Sequence, residues 1–174
     1  MKYINQSDQL NQPDGGLGIV LVNLGTPDAP TTVAVRRYLA EFLSDPRVVA
    51  IPKLIWQIIL HGIVLRVRPK RKAEDYKRIW TEDGAPLLAI SRRQQAAITE
   101  ILNSRMRGNV HVTLAMRYGN PSIASVLQEL RRKNAQRLLV FPLYPQYSAT
   151  TTASIFDAVT GELQGWRWIP EVRF

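Results

Sequence analysis

The chain has 174 residues, of which 45% are apolar, 8% aromatic and 21% charged. That is enough length and apolar side chain for one domain-sized core, and it excludes disordered and fibrous classes. The 23 Lys and Arg against 14 Asp and Glu leave a formal charge of +9, which favours an anionic partner: a nucleic acid, a membrane surface or an acidic small molecule. Cysteine is absent, so neither a disulfide framework nor a thiolate-held metal or iron–sulfur cluster can be built, and the cytosol is the expected compartment.

Residues 1–17 form a polar arm that lacks the basic start and apolar run of a signal peptide. The run GIVLVNL at 18–24 is almost continuously apolar, rich in β-branched residues and stopped by Gly25-Thr26-Pro27, which predicts a strand buried on both faces. Helical spacing follows at 33–42, with Thr32 and Ser44-Asp45-Pro46 as boundary signals. Residues 51–71 read IPKLIWQIILHGIVLRVRPKR, almost without a polar face, and are too short and interrupted for a spanning helix. A further helix is expected at 73–80, and another whose inward stripe is Ile90, Gln94, Ala97, Ile98, Ile101 and Leu102. VHVTLAM at 110–116 and RLLVFP at 137–142 repeat the buried-strand pattern, and a helix carrying Ile123, Val126, Leu127 and Leu130 lies between them. A weaker strand pattern runs from Gly165 to Phe174. The alternation predicts an α/β fold with a doubly wound, mainly parallel sheet flanked by helices, in which strands 19–23, 110–116 and 137–142 run parallel.

In such a fold ligands bind in the crevice at the carboxyl ends of the strands, near the point where strand order reverses. The loops to inspect therefore follow Leu24, Met116 and Pro142, and all three combine glycine or proline with polar or aromatic side chains. One such loop is ordinary βα punctuation; three together point to a site. Exclusion narrows the chemistry. Gly15-Gly16-Leu17-Gly18 precedes the first strand instead of following it, and no G-x-x-x-x-G-K-[ST] occurs, which argues against nucleotide phosphates. His61 and His111, the only histidines, have no neighbour at metal-ligand spacing, and no G-x-S-x-G marks a nucleophile.

The 51–71 segment supports two readings: a helix buried in the core, or an apolar lip that lines a ligand cleft or touches a bilayer interface, with Trp56 and the basic run as anchors. The block Arg66, Arg68, Lys70, Arg71, Lys72, Lys77 and Arg78 reads most simply as a solvated face. Beside an apolar lip it also suits a flat, greasy molecule with carboxylate tails.

Four blocks in order then identify a resemblance. They are GIVLVNLGTP at 18–27; YKRIW at 76–80 with Ala85-Pro86-Leu87; Met116-Arg117-Tyr118-Gly119-Asn120-Pro121; and YPQYSATTT at 144–152. Over residues 18–174 the chain resembles ferrochelatase, particularly the bacterial form, and matches the first of that family's two similar α/β halves. The resemblance implies an enzyme that inserts ferrous iron into protoporphyrin or a related porphyrin late in haem biosynthesis. It places porphyrin contacts on Leu24, Arg68, Tyr76 and Ala85, the last where the family often has Ser. Arg117 and Tyr118 correspond to the pair lining the inner cleft, and Tyr147, Ser148 and Thr151 to its floor. Ala149 stands where some relatives carry a cluster-binding cysteine.

The family's proton-accepting His and partnering Glu belong to the second half, at positions beyond Phe174, so the resemblance puts no catalytic residue in this chain. Residues 18–174 are expected to form the first lobe only, to bind porphyrin weakly and to be catalytically incomplete. Iron enters as substrate, with no tightly bound cofactor. The resemblance further implies a monomer at full length and a cytoplasmic location, with peripheral membrane contact through 51–72. A non-catalytic porphyrin- or membrane-binding fragment and a chelatase for another tetrapyrrole are the alternatives. A nucleic-acid module rests on charge alone, without a recognition motif, and is not expected.

Overall fold

The computed structural model describes residues 15–174. Of the polar arm expected at 1–17, residues 1–14 lie outside the described range, and the remainder is corrected: Gly16 and Leu17 belong to the first strand, β1 (Gly16–Thr26). The polar stretch stops there because the Leu17 amide donates to the Asn109 carbonyl at 2.9 Å and the residue pairs with Val110 and Arg137.

Three more strands, β2 (Val110–Gly119), β3 (Ala135–Pro142) and β4 (Glu171–Arg173), complete a sheet of order β2-β1-β3-β4 in which every pairing is parallel. The fold expectation holds, but the weak strand pattern from Gly165 to Phe174 is corrected, because it contracts to the three residues that pair with β3. Phe174 falls just outside β4. It is 47% exposed, and its ring lies against that of Phe156 with centroids 5.1 Å apart, so side-chain packing and not the ladder holds it. Chain direction through the sheet reverses between the β1-to-β2 and β2-to-β3 connections, which puts the switch point at the carboxyl ends of β1 and β3. Strands run past the expected limits at 24 and 116. Gly25 pairs with Tyr118 and Thr26 with Gly119, so Arg117-Tyr118-Gly119 is strand, not loop. Close approach explains the glycine at 25: at φ +111, a Cβ there would overlap the Tyr118 carbonyl oxygen.

Helices cover the two faces unequally. On one, α5 (Ile123–Arg132) and α6 (Ser154–Leu163) close the main core, where Ile123, Val126, Leu127 and Leu130 meet Val20, Val22, Leu138 and Val140. Ser122 caps α5, its hydroxyl accepting from the Ser125 amide at 3.2 Å. On the other face α4 (Pro86–Arg105) covers β1 and β2, packing Leu88, Ile98 and Leu102 on Ile19, Leu21, Val112 and Leu114. The stripe expected on this helix holds at Ile98 and Leu102 and is corrected elsewhere: Ile90, Gln94, Ala97 and Ile101 are exposed, and the inward seam is Leu88, Ser91, Gln95, Ile98 and Leu102, with Ala89 buried beside it. Two members of that seam are polar and bonded to the sheet, Ser91 accepting from Asn23 Nδ2 at 3.1 Å and Gln95 donating to the Val112 carbonyl at 3.0 Å.

The segment 51–71 is helical throughout most of its length, and among its residues only Leu60, Leu65 and Pro69 are buried. Helix α2 (Lys53–Ile59) passes through a wide turn at Leu60–Val64, with i→i+5 bonding, into α3 (Leu65–Ile79). Leu54 is 84% and Ile58 75% exposed, so the segment is a lip and not a core helix. No described helix is long and apolar enough to cross a membrane. Pro69 removes the donor that would serve the Leu65 carbonyl, and Arg36 of α1 (Thr32–Leu43) supplies one instead, Nε to oxygen at 3.0 Å. The Trp56 indole donates to the Leu43 carbonyl at 2.6 Å, so this residue ties the lip to the end of α1.

Candidate functional site

Parallel strands ending together leave their last carbonyls and side chains facing one crevice, and three chain segments supply its polar groups. The first is the end of β1. Asn23 folds back to accept the Leu24 amide at 2.8 Å through Oδ1 while its other atom bonds Ser91, which leaves Leu24 partly exposed at the strand end.

The second segment is the end of β2. Tyr118 is completely buried, and its hydroxyl lies 2.8 Å from Asp45 Oδ2 and 3.0 Å from Ser154 Oγ. Burial pushes that phenol well above its ordinary range, with the Asp45 hydrogen bond acting in the same direction. Arg117 is 17% exposed at its side chain, pairs with Asp45 through Nη2 at 2.6 Å and lies 4.5 Å over the Tyr118 ring. Burial opposes the charge on Asp45, yet hydrogen bonds from Ser154, the Arg47 amide and Tyr118, together with the Arg117 charge, hold its carboxyl below the usual carboxylate range.

The third segment follows β3. Tyr147 is 75% exposed. Ser148 and Thr151 form a reciprocal cap at the wide turn Ala149–Ala153 that leads into α6: the two hydroxyls are 2.8 Å apart and the Ser148 amide donates to Thr151 Oγ1 at 3.0 Å. The Tyr144 hydroxyl is buried without a hydrogen-bond partner in the described residues, and burial pushes it up to about 12, although the Arg117 charge draws it down.

Residues expected from the lip side are spread along helices. Arg68 stands exposed on α3. Tyr76, also on α3, packs edge-on to Trp80 and faces Tyr38, whose hydroxyl donates to the Gly25 carbonyl at 3.3 Å; burial raises both phenols. Ala85 is 3% exposed and occupies the position before α4, where it gives the helix no side-chain cap. The structure therefore gathers Leu24, Arg117, Ser148 and Thr151 at the strand ends, walls off Tyr118, and leaves Arg68 and Tyr147 open to solvent.

Asp45, Ser154, Asn23, Tyr38 and Tyr144 were not singled out by sequence. Asp45 reads there as a helix-boundary residue beside Pro46, and only its tertiary partners reveal it. A cavity of about 220 Å³ at the carboxyl ends of β1 and β2, lined in part by Thr26, Asp28, Arg37, Glu41, Gly119 and Asn120, sits beside α1 and is below the usual range for a cofactor-sized molecule. Among the described residues no group of three or more His, Asp or Glu is placed to hold a metal ion.

The Ferrochelatase family profile matches residues 16–174. The chain is 58% identical over 160 residues to Ferrochelatase 2 of Shewanella oneidensis, covering 92% of this chain and 49% of that protein. It is 54% identical over 164 residues to the ferrochelatase of Marinobacter nauticus, covering 94% of this chain and 44% of that protein. It is 53% identical over 174 residues to the ferrochelatase of Thioalkalivibrio sulfidiphilus, covering all of this chain and 47% of that protein. The chain thus spans about half the length of these curated relatives. Its parallel sheet, the profile match and these identities together make it a member of the ferrochelatase family.

Proposed function

We propose that the chain forms one wall of a porphyrin crevice in an enzyme that inserts ferrous iron into protoporphyrin or a related porphyrin, in the terminal part of haem biosynthesis. The observation that carries this reading is the placement of an ordered, partly exposed Arg117 at the strand ends of a lobe whose α2–α3 lip presents Leu54, Ile55, Ile58, Ile63 and Val67 to solvent beside a basic run. A macrocycle needs both: apolar surface for its faces and cations for its propionates.

In this reading Leu24 and Tyr76 touch the ring and Arg68 pairs with a propionate, whereas Ala85, closed off before α4, does not make the contact the resemblance gives it. Arg117 stands at the inner end, Tyr118 supports it from behind, and Tyr147, Ser148 and Thr151 form the floor. Proton removal from the pyrrole nitrogens needs a base within hydrogen-bond reach of the ring centre. The two histidines do not serve: His61 sits exposed on the lip turn, and His111 near the start of β2, at the opposite end of the sheet. In this reading the base and its acidic partner are the His and Glu that the resemblance assigns to the family's second half, and the chain alone binds porphyrin weakly and does not metalate it. The exposed lip with Lys53, Arg66, Arg68, Lys70 and Arg71 also suits peripheral contact with an anionic membrane surface from the cytoplasmic side. The full-length enzyme in this reading is a monomer with no resident cofactor and no nucleic-acid partner.

The test is titration of the purified chain with protoporphyrin, followed by fluorescence quenching, and an anaerobic assay with ferrous or zinc ion. Saturable binding that weakens about threefold to tenfold in Arg68→Ala is expected, with metalation no faster than in protein-free buffer. Metalation above that background, lost in Arg117→Ala, would show that this half carries more of the chemistry; absence of binding would remove the porphyrin reading.

A further inference from the structure

Asp45 is the only charged residue buried among the described residues. It lies in the loop after α1, yet its bonds reach two other elements. Oδ2 accepts from Ser154 Oγ at 2.6 Å, from Arg117 Nη2 at 2.6 Å and from the Tyr118 hydroxyl at 2.8 Å, and Oδ1 accepts from the Arg47 amide at 2.7 Å. The same Ser154 meets Arg117 a second time: Arg117 Nε donates to its Oγ at 2.6 Å and to its carbonyl at 2.9 Å. Arg47 in turn holds Asp157 of α6 through Nε at 2.7 Å and Nη2 at 3.1 Å, so the loop is clamped to that helix on both sides of Pro46.

The result is an arginine with little freedom. Two of its edges are taken by Asp45 and Ser154, one face is covered by the Tyr118 ring, and Nη1 makes no hydrogen bond among the described residues. A long side chain normally loses considerable rotamer entropy when it engages a ligand, and here that loss has already occurred in the free lobe. Neither the resemblance nor the family match assigns Asp45 a part.

We infer that Asp45 is the positioning residue for Arg117: with Ser154 it fixes the guanidinium plane so that Nη1 is the one edge left to meet a ligand at the crevice. The ligand's being a porphyrin rests on the reading above; the clamp itself does not. Asp45 touches no substrate in this scheme and acts only through Arg117.

The experiment labels arginine with 15N in the whole chain and uses protoporphyrin as probe. Asp45→Asn keeps an acceptor oxygen for Tyr118 and Ser154 but removes the charge. In it the Arg117 Nε–H resonance shifts and exchanges with water about tenfold faster, and porphyrin affinity falls about fivefold, as in Arg117→Ala. The double variant binds no more weakly than Arg117→Ala alone, because the carboxylate has no route to the ligand except the guanidinium. Ser154→Ala removes one hydroxyl from the clamp, is expected to move the same resonance with an affinity loss of about twofold, and serves if Asp45→Asn does not fold. An unmoved Arg117 resonance in either folded variant, or losses that add in the double variant, overturns the inference. If the wild-type chain binds no porphyrin, the porphyrin reading falls and the resonance still decides the role of Asp45.

Discussion

A carboxylate that is 4% exposed at its side chain and paired with one arginine makes the site's polar interior sensitive to acid. Because the folded-state carboxyl of Asp45 titrates below its unfolded value, its contribution to stability is complete above the ordinary aspartate pKa of about 3.9 and is lost as pH falls through the lower folded value. The chain should therefore lose unfolding free energy below about pH 4, and Asp45→Asn should be less stable near neutrality but show a flatter acid limb. Denaturant titrations from pH 3 to 7 check this, and parallel acid limbs in the two proteins would contradict it. Asp75, Asp157 and Glu129 are also held low by their Lys or Arg partners, but as exposed pairs they are worth little beside Asp45. Residue chemistry of this kind was half legible in sequence. Arg117 and Tyr118 stand out in a motif, whereas nothing near Asp45 announces that Ser154, 109 positions later, will donate to it.

Elements were legible where one side of them is uniformly apolar. Helix α5 has Ile123, Val126, Leu127 and Leu130 on one face, and the structure buries all four. On α4 the inward seam includes Ser91 and Gln95, so counting apolar residues selects the neighbouring row, and only the Asn23 side-chain amide and the Val112 carbonyl explain why polar side chains belong inside. The lip was ambiguous for a comparable reason: a run apolar all round fits a core or a surface equally well, and the choice depends on what packs beside it. Helix α4 also begins without a side-chain cap at Ala85, whose backbone is already extended at φ −64 and ψ 130, the conformation a capping serine adopts. Ala85→Ser should stabilise the chain by about 1 kcal/mol by satisfying one amide of the first turn. Thermal unfolding of the two proteins measures it; a midpoint unchanged or lowered would mean the hydroxyl finds no amide in this nearly closed position.

At the scale of the whole molecule, runs of β-branched residues alternating with helical stripes disclosed a parallel sheet, but the order β2-β1-β3-β4 was not readable, since pairing partners are chosen by packing far along the chain. The same limit hid the uneven covering of the sheet. Helix α4 shields β1 and β2, while on β3 Phe141 remains 53% exposed and Leu139 is only partly buried. The crevice position proposed above, by contrast, rests on the fold class alone, because the connections leaving adjacent strands pass to opposite faces of the sheet where the order reverses.

The central place of β1 has a consequence for biosynthesis. As the first described element to leave the ribosome, it carries the most buried backbone of the sheet, but its neighbours arrive late: the Thr113 hydroxyl that bonds the Ile19 carbonyl is 94 residues downstream, and β3 later still. Until then GIVLVNL is an apolar segment with both edges unpaired, the kind of nascent sequence that chaperones hold and that aggregates if released early. Chains halted at Asn134, before β3, should show no cooperative unfolding and rapid digestion by a nonspecific protease, whereas chains extended through Leu163, with β3 and α6 in place, should become resistant. Translation speed between those two points then sets how long the edges of β1 stay unpaired.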